Sequence, residues 1–223
     1  MRIITIRHDK SQNNALVEQS FQLYLEKRSN DPDICEGAKE RCQKVGKYLK
    51  ENKIKINKFY SSLHLRALKT MNYIAEEYNP EIPMEYFPYI FERGGIYLGE
   101  KGYPGLNQEK VNEMFPKVII PEDVDITNGW YQCQHKETLE ECKERTKKCI
   151  AKLKEMAEKH DDDYTICLIS HENFLNGFYS FLSSFDFTAD SISYGHDNLA
   201  LSSFSIDKNK KINIDFINFS CLH

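Results

Sequence analysis

The 223-residue sequence has no apolar run approaching 18 residues, no CxxC pair, no internal repeat and no low-complexity tract. The first absence argues against a transmembrane helix, and a chain that enters a strand-like run at once leaves no room for a secretory signal, so the cytoplasm is the expected compartment. Its seven cysteines are an odd number, scattered, and several fall inside helical patterns. They read as reduced thiols used as small hydrophobes, not as a disulfide framework or a zinc site. Positive charge is not in excess: 30 Lys and Arg stand against 34 Asp and Glu, a formal net charge of −4. A generic nucleic-acid or anionic-membrane surface is therefore not implied, although a local basic pocket is compatible with it. No linker divides the chain, and with 40% hydrophobic and 29% charged residues it reads as one globular unit over 1–223 with a sizeable core.

What is present is an alternation of short β-branched runs and helical spacings. Ile3, Ile4 and Ile6 suit a buried strand, which stops at Arg7-His8 before a polar loop. Asp31-Pro32-Asp33 reads as a turn and N-cap region ahead of a helix over about 36–52. A strand over 54–60 ends at Ser61-Ser62, and a helix over 63–78 stops before Pro80. Thr138 with Glu141 makes a capping box for a long helix. A second buried-type strand over 164–170 ends at His171, a helix over about 174–185 follows, and strands over 199–206 and 212–219 close the chain. This is the pattern of an α/β sheet with crossovers. Residues 79–136 break it. They hold six of the seven prolines and six of the ten glycines, and read as an irregular insertion with one short helix near 108–115. An insertion of this length is expected to form a lid or substrate wall, or else a structural cap.

Two strands thus deliver His8 and His171 to their C-terminal ends, where open α/β sheets bind ligands. Arg7 offers a planar fork of donors matched to phosphate oxygens, and a neutral His8 can attack as a nucleophile. In isolation the pair reads more simply as a surface charge and a loop histidine. His160-Asp161-Asp162-Asp163 reads as a solvated turn, and His64, His135 and His196 as surface or substrate-mouth residues.

The set of motifs resembles the histidine phosphatase, or phosphoglycerate-mutase-like, superfamily. The carriers, in family order, are Arg7-His8 with Ser11 and Asn14, Asp31-Pro32 with Glu36-Gly37 and Val45-Gly46, and Tyr60-Ser61-Ser62 with Arg66-Ala67 and Thr70. Glu92-Arg93-Gly94-Gly95, Ser170-His171 and Asn198-Leu199-Ala200 complete it. The resemblance implies a three-layer sandwich with a mostly parallel central sheet flanked by helices. It implies His8 as nucleophile forming a phosphohistidine, and Arg7, Arg66 and His171 on the equatorial phosphate oxygens, with Asn14 beside them. Glu92 would serve as acid and then base. No cofactor and no metal are implied, since two guanidiniums neutralise the phosphate charge.

Within the family, the stretch from Gly94 to Trp130 looks more like the small phosphatases than the glycolytic mutases, so phosphomonoester hydrolysis is favoured over mutase-type transfer. The expected partner is a phosphorylated small molecule, with a phosphoprotein also fitting, and the oligomeric state stays open. Tyr86, Phe87, Tyr89, Phe91, Tyr97, Tyr103, Trp130 and Tyr131 either line the substrate mouth or form the insertion's own core. Three departures stand out: Asp9 and Glu172 where the family has Gly after each histidine, and Leu63-His64 where it has Pro-Leu. Catalysis requires the two carboxylates to point away from the phosphate, or to orient the histidines from behind. A phosphate-binding protein without turnover and a metal-dependent phosphohydrolase built on the His-Asp pairs are the rival readings.

Overall fold

The run Arg2–Arg7 forms strand β1, buried from Ile3 onward, as continuous β-branched residues between covered faces should be. Its side chains divide between two cores. Ile4 and Ile6 pack with Val45, Leu49, Leu68 and Met71, while Ile3 packs with Leu153, Phe178 and Tyr179 on the other face. That alternation places β1 in the middle layer of three. The computed structural model describes residues 1–183 and 193–222.

After β1 come α1 (Gln12–Gln19), α2 (Phe21–Lys27), α3 (Ala38–Glu51), β2 (Lys58–Ser61), α4 (Leu65–Tyr78) and β3 (Met84–Tyr86). The insertion continues with β4 (Tyr97–Leu98), β5 (Lys101–Gly102), α5 (Gln108–Met114) and β6 (Val118–Ile119). The chain ends with α6 (Leu139–Lys159), β7 (Thr165–Ser170), α7 (Glu172–Leu182), β8 (Leu201–Ile206) and β9 (Ile212–Phe219). The central sheet runs β6-β3-β2-β7-β1-β8-β9. The five strands from β6 to β1 are parallel, and β8 and β9 are antiparallel additions. The mostly parallel α/β sandwich is therefore present, with α3 and α4 on one face and α6 and α7 on the other. No described helix is long and apolar enough to cross a membrane.

Several local expectations change. Residues 79–136 are not irregular throughout: β3 and β6 extend the parallel sheet, and β4 pairs with β5 as a separate ribbon. Most of the insertion's aromatics pack inward; Tyr86, Trp130 and Tyr131 belong to the core. The strand expected from 54 begins at Lys58. The N-cap of α3 is Gly37, with φ +73°, not the Asp31 turn. The capping box of α6 forms as expected. Helix α7 starts two residues early, and the end expected at 185 lies outside the described residues.

Candidate active site

The parallel register of β1 and β7 opposes Arg7 to Ser170, so the residues that follow, His8 and His171, emerge side by side. Their ring centroids are 5.0 Å apart. Behind them, the backbone is stitched to residues 198–200. Leu199 N–H donates to the Arg7 carbonyl at 3.0 Å, and the Asn198 amide donates to the His8 carbonyl at 2.8 Å. Leu199 holds φ +62° to do so, a conformation that a branched side chain rarely adopts and that the surrounding core must enforce.

His8 is buried and its tautomer is fixed by one contact. Nδ1 lies 2.6 Å from the Asp9 carbonyl, which can only accept, so the proton sits on Nδ1 and the lone pair on Nε2. That lone pair accepts from Nε of Arg66 at 3.1 Å. Burial, then the cations of Arg66 and Arg7, push the His8 pKa well below its ordinary value. The ring is thus neutral and aimed, the state a nucleophile needs.

Arg66 reaches the site from the first turn of α4, and Asp31 holds that turn. The Asp31 carboxylate accepts from Leu65 N–H at 3.2 Å, pairs with Arg66 at 3.6 Å, and accepts from His64 Nδ1 at 3.1 Å. His64 is not at the surface: it is 1% exposed, edge-on to Trp130, with its ring 4.7 Å from His171. Burial and Arg66 lower its pKa to about 4, so it too is neutral. His196 is likewise buried, and its carbonyl accepts from Arg7 Nη1 at 2.6 Å. Only His135 of the three is exposed.

His171 is buried behind His8 and is not on the cleft wall. Its Nε2 shares a 2.7 Å hydrogen bond with Ser62 Oγ, and its Nδ1 is buried without a partner. Burial, then Arg66 and the two neighbouring histidines, lower its pKa far below the ordinary range.

Arg7, His8, Asn14, Arg66 and Glu92 all line one cleft of about 260 Å³. Asn14 uses its side-chain oxygen in the Ser11 capping box, accepting from Ser11 N at 3.0 Å and Oγ at 2.8 Å, which leaves its amide nitrogen for the cleft. Glu92 docks on the first turn of α7. Its oxygens accept from Phe174 N at 3.0 Å and Arg93 N at 2.7 Å, with longer contacts from Asn173. Gly95, in the turn just after Arg93-Gly94, cannot change: a Cβ there would sit 2.1 Å from the Tyr131 ring, at φ +70°. Of the aromatics expected at the mouth, Tyr97 alone is on the wall of this cleft, while Tyr89, Phe91 and Trp130 line a separate groove.

The two extra carboxylates behave differently. Asp9 points away, buried, with Arg41 Nη2 2.8 Å from its Oδ2. Glu172 points in, 2.8 Å from Nη2 of Arg7. Among the described residues no group of three or more His, Cys, Asp or Glu side chains is arranged to hold a metal ion.

A neutral histidine flanked by two guanidiniums thus stands at the C-terminal edge of the parallel sheet. The model of the histidine phosphatase superfamily (branch 1) matches residues 3–218. The chain belongs to that superfamily. A 74-residue stretch is 36% identical to the 2,3-bisphosphoglycerate-dependent phosphoglycerate mutase of Pelagibacter ubique (strain HTCC1062), covering 33% of this chain and 28% of that protein. The alpha-ribazole phosphatase from Shigella flexneri superposes with a TM-score of 0.64 at 16% identity, covering 100% of both chains. The phosphoglycerate mutase from Bacillus anthracis str. Sterne gives 0.64 at 16%, covering 98% of this chain and 93% of that one. At these identities the structural likenesses establish the histidine phosphatase fold, and the superfamily makes phosphatase or mutase chemistry the range to consider.

Proposed function

We propose that this chain is a metal-independent phosphomonoesterase working through a phosphohistidine on His8. The supporting observation is the fixed tautomer: Nδ1–H is held by the Asp9 carbonyl, and Nε2 is directed to the guanidinium of Arg66. When substrate enters, its phosphate oxygens take over the Arg66 and Arg7 donors, which frees the Nε2 lone pair. Nε2 then attacks phosphorus in line. The N–P bond forms as the P–O ester bond breaks, and the leaving alkoxide takes a proton from Glu92. In the second step Glu92 accepts a proton from water, the hydroxide displaces His8 from phosphorus, and inorganic phosphate leaves. Arg7 and Arg66 stabilise charge on the equatorial oxygens in both steps, and His171, buried against the ring of His8, acts from behind it.

The proposed substrate is a phosphorylated small molecule, in keeping with the size of the cleft. Seven free thiols accord with a reducing compartment, and the cytoplasm is the proposed location. The test is hydrolysis of p-nitrophenyl phosphate in EDTA by the wild type and His8→Ala, with acid-stable and base-stable phosphoenzyme assayed separately. Chelator-resistant turnover and a base-stable phosphoenzyme, both lost in the variant, are expected. Turnover that survives His8→Ala removes the nucleophile assignment, and phosphate binding without turnover leaves a phosphate-binding protein.

A further inference from the structure

The phosphate chemistry uses two of the four arginines that line the cleft. Arg7 is occupied by Glu172 and the His196 carbonyl, and Arg66 by His8 and Asp31. Arg28 is used by neither. It follows α2 directly, and its guanidinium lies 4.4 Å from the ring centroid of Tyr97 and 5.1 Å from that of Tyr24. Nη2 donates to the Tyr97 carbonyl at 3.1 Å, Nε is buried without a partner, and no carboxylate pairs with it among the described residues.

We propose that Arg28 binds a second anionic group, a carboxylate or a phosphate, carried by the leaving-group end of the substrate. The inference rests on the phosphomonoesterase reading and narrows its substrate class to short esters that bear a second negative charge.

The physical case is one of uncompensated charge. A guanidinium set against two aromatic faces keeps its charge and sheds part of its water, and its planar fork is held in one orientation. Such a group gains more from a planar or tetrahedral oxyanion than a solvated lysine does. The cleft has no carboxylate left to offer it. Glu172 is paired with Arg7, and Glu92 is anchored on the N–H groups of α7. Arg93 lines the same cleft, exposed, and has no ion pair among the described residues, so it adds to the positive field there. Arg28 lines the same cleft as Arg7 and Arg66, so one ester can meet both its phosphate site and this guanidinium.

Two matched ester pairs test this. The first is para-(carboxymethyl)phenyl phosphate against para-isobutylphenyl phosphate, which match in size and closely in acidity of the leaving phenol. The second is propanediol bisphosphate against propyl phosphate, which reads the phosphate source separately from the carboxylate. In the wild type kcat/KM should favour the charged member of at least one pair by about tenfold, the order of one charge-assisted contact. Arg28→Gln should bring that ratio close to unity through KM, and Arg28→Lys should restore part of it. A ratio near unity in the wild type, or one that survives Arg28→Gln, overturns the proposal; a purely structural Arg28 would lower both members together. Should the wild type turn over none of these esters, nor p-nitrophenyl phosphate, the phosphomonoesterase reading fails. The pairs are then compared as ligands by calorimetry. Tighter binding of the charged member by the wild type, lost in Arg28→Gln, upholds the subsite, and equal binding sinks it.

Discussion

Glu172 places a carboxylate against the guanidinium proposed to bind a phosphate oxygen, 2.8 Å from Arg7 Nη2. Its side chain is 48% exposed, so the attraction is screened and an incoming phosphate can displace it. The displacement is not free, because two anions about 4 Å apart repel by ~1 kcal/mol in water and more at the protein surface. Glu172→Gln removes the competitor while keeping the size of the side chain. Inhibition by inorganic phosphate should strengthen by about three- to tenfold, matching roughly 1 kcal/mol, and KM for p-nitrophenyl phosphate should fall with it. An unchanged phosphate inhibition constant would mean that the pair opens without resistance. Asp9 carries the same formal charge without this effect, since Arg41 holds it away from the cleft. Its backbone carbonyl instead fixes the His8 tautomer, a role that any residue at that position can fill.

At the scale of elements, the segment that carries Glu92 is held from α6. Arg145 binds Glu137 through Nε at 2.6 Å and Nη2 at 2.7 Å, and its Nη1 donates to the carbonyls of Tyr89 at 2.7 Å and Phe91 at 3.0 Å. Glu137 in turn accepts from Gly94 N–H at 3.2 Å, so one buried pair clamps both sides of Glu92. Glu137→Gln should destabilise the fold by about 3–5 kcal/mol, the range for breaking a buried pair. If the pair also positions Glu92, kcat should fall far more for alkyl phosphates than for p-nitrophenyl phosphate, whose leaving group needs little protonation. An equal loss on both would make the clamp structural only. None of this was legible in the sequence, because Arg145 and Tyr89 are 56 residues apart. The same holds for Arg28 with Tyr97, 69 apart, and His64 with Asp31, 33 apart. What could be read was local: β1 and β7 from their β-branched runs, α6 from its capping box, and the strand-end Arg7-His8 and His171. Helices α1 and α2 escaped because neither buries a residue, so no apolar stripe announces them. Their signals were Ser11 followed three residues on by Asn14, which the fold uses as a capping box, and Ser20, which caps α2.

For the molecule as a whole, burial of so many neutral imidazoles makes stability depend on pH in a set direction. Burial is the first cause of lowered pKa at His8, His64, His171 and His196, with the values for His64 and His196 at about 4. The positive charges of Arg66 and Arg7 face the first three and the last, and the Asp31 and Asp197 carboxylates only partly oppose them. Unfolding releases each ring to an ordinary pKa near 6.5, so between about 6.5 and 4 the unfolded chain binds more protons than the folded one. Stability is therefore present above this window and is lost as pH falls through it. From pH 7 to pH 5 a single such histidine accounts for about 2 kcal/mol, which lowers Tm by roughly 4–8 °C in a chain of this size. The expected thermal denaturation series thus shows a fall of at least roughly 4 °C over that interval in a non-binding buffer. Adding inorganic phosphate should flatten the fall, because a bound anion lets the cluster of His8 and His171 charge while folded. A Tm that stays level from pH 7 to pH 5 without phosphate would show that the cluster takes up protons in the folded state, and the neutral nucleophile argued for His8 would then fail with it.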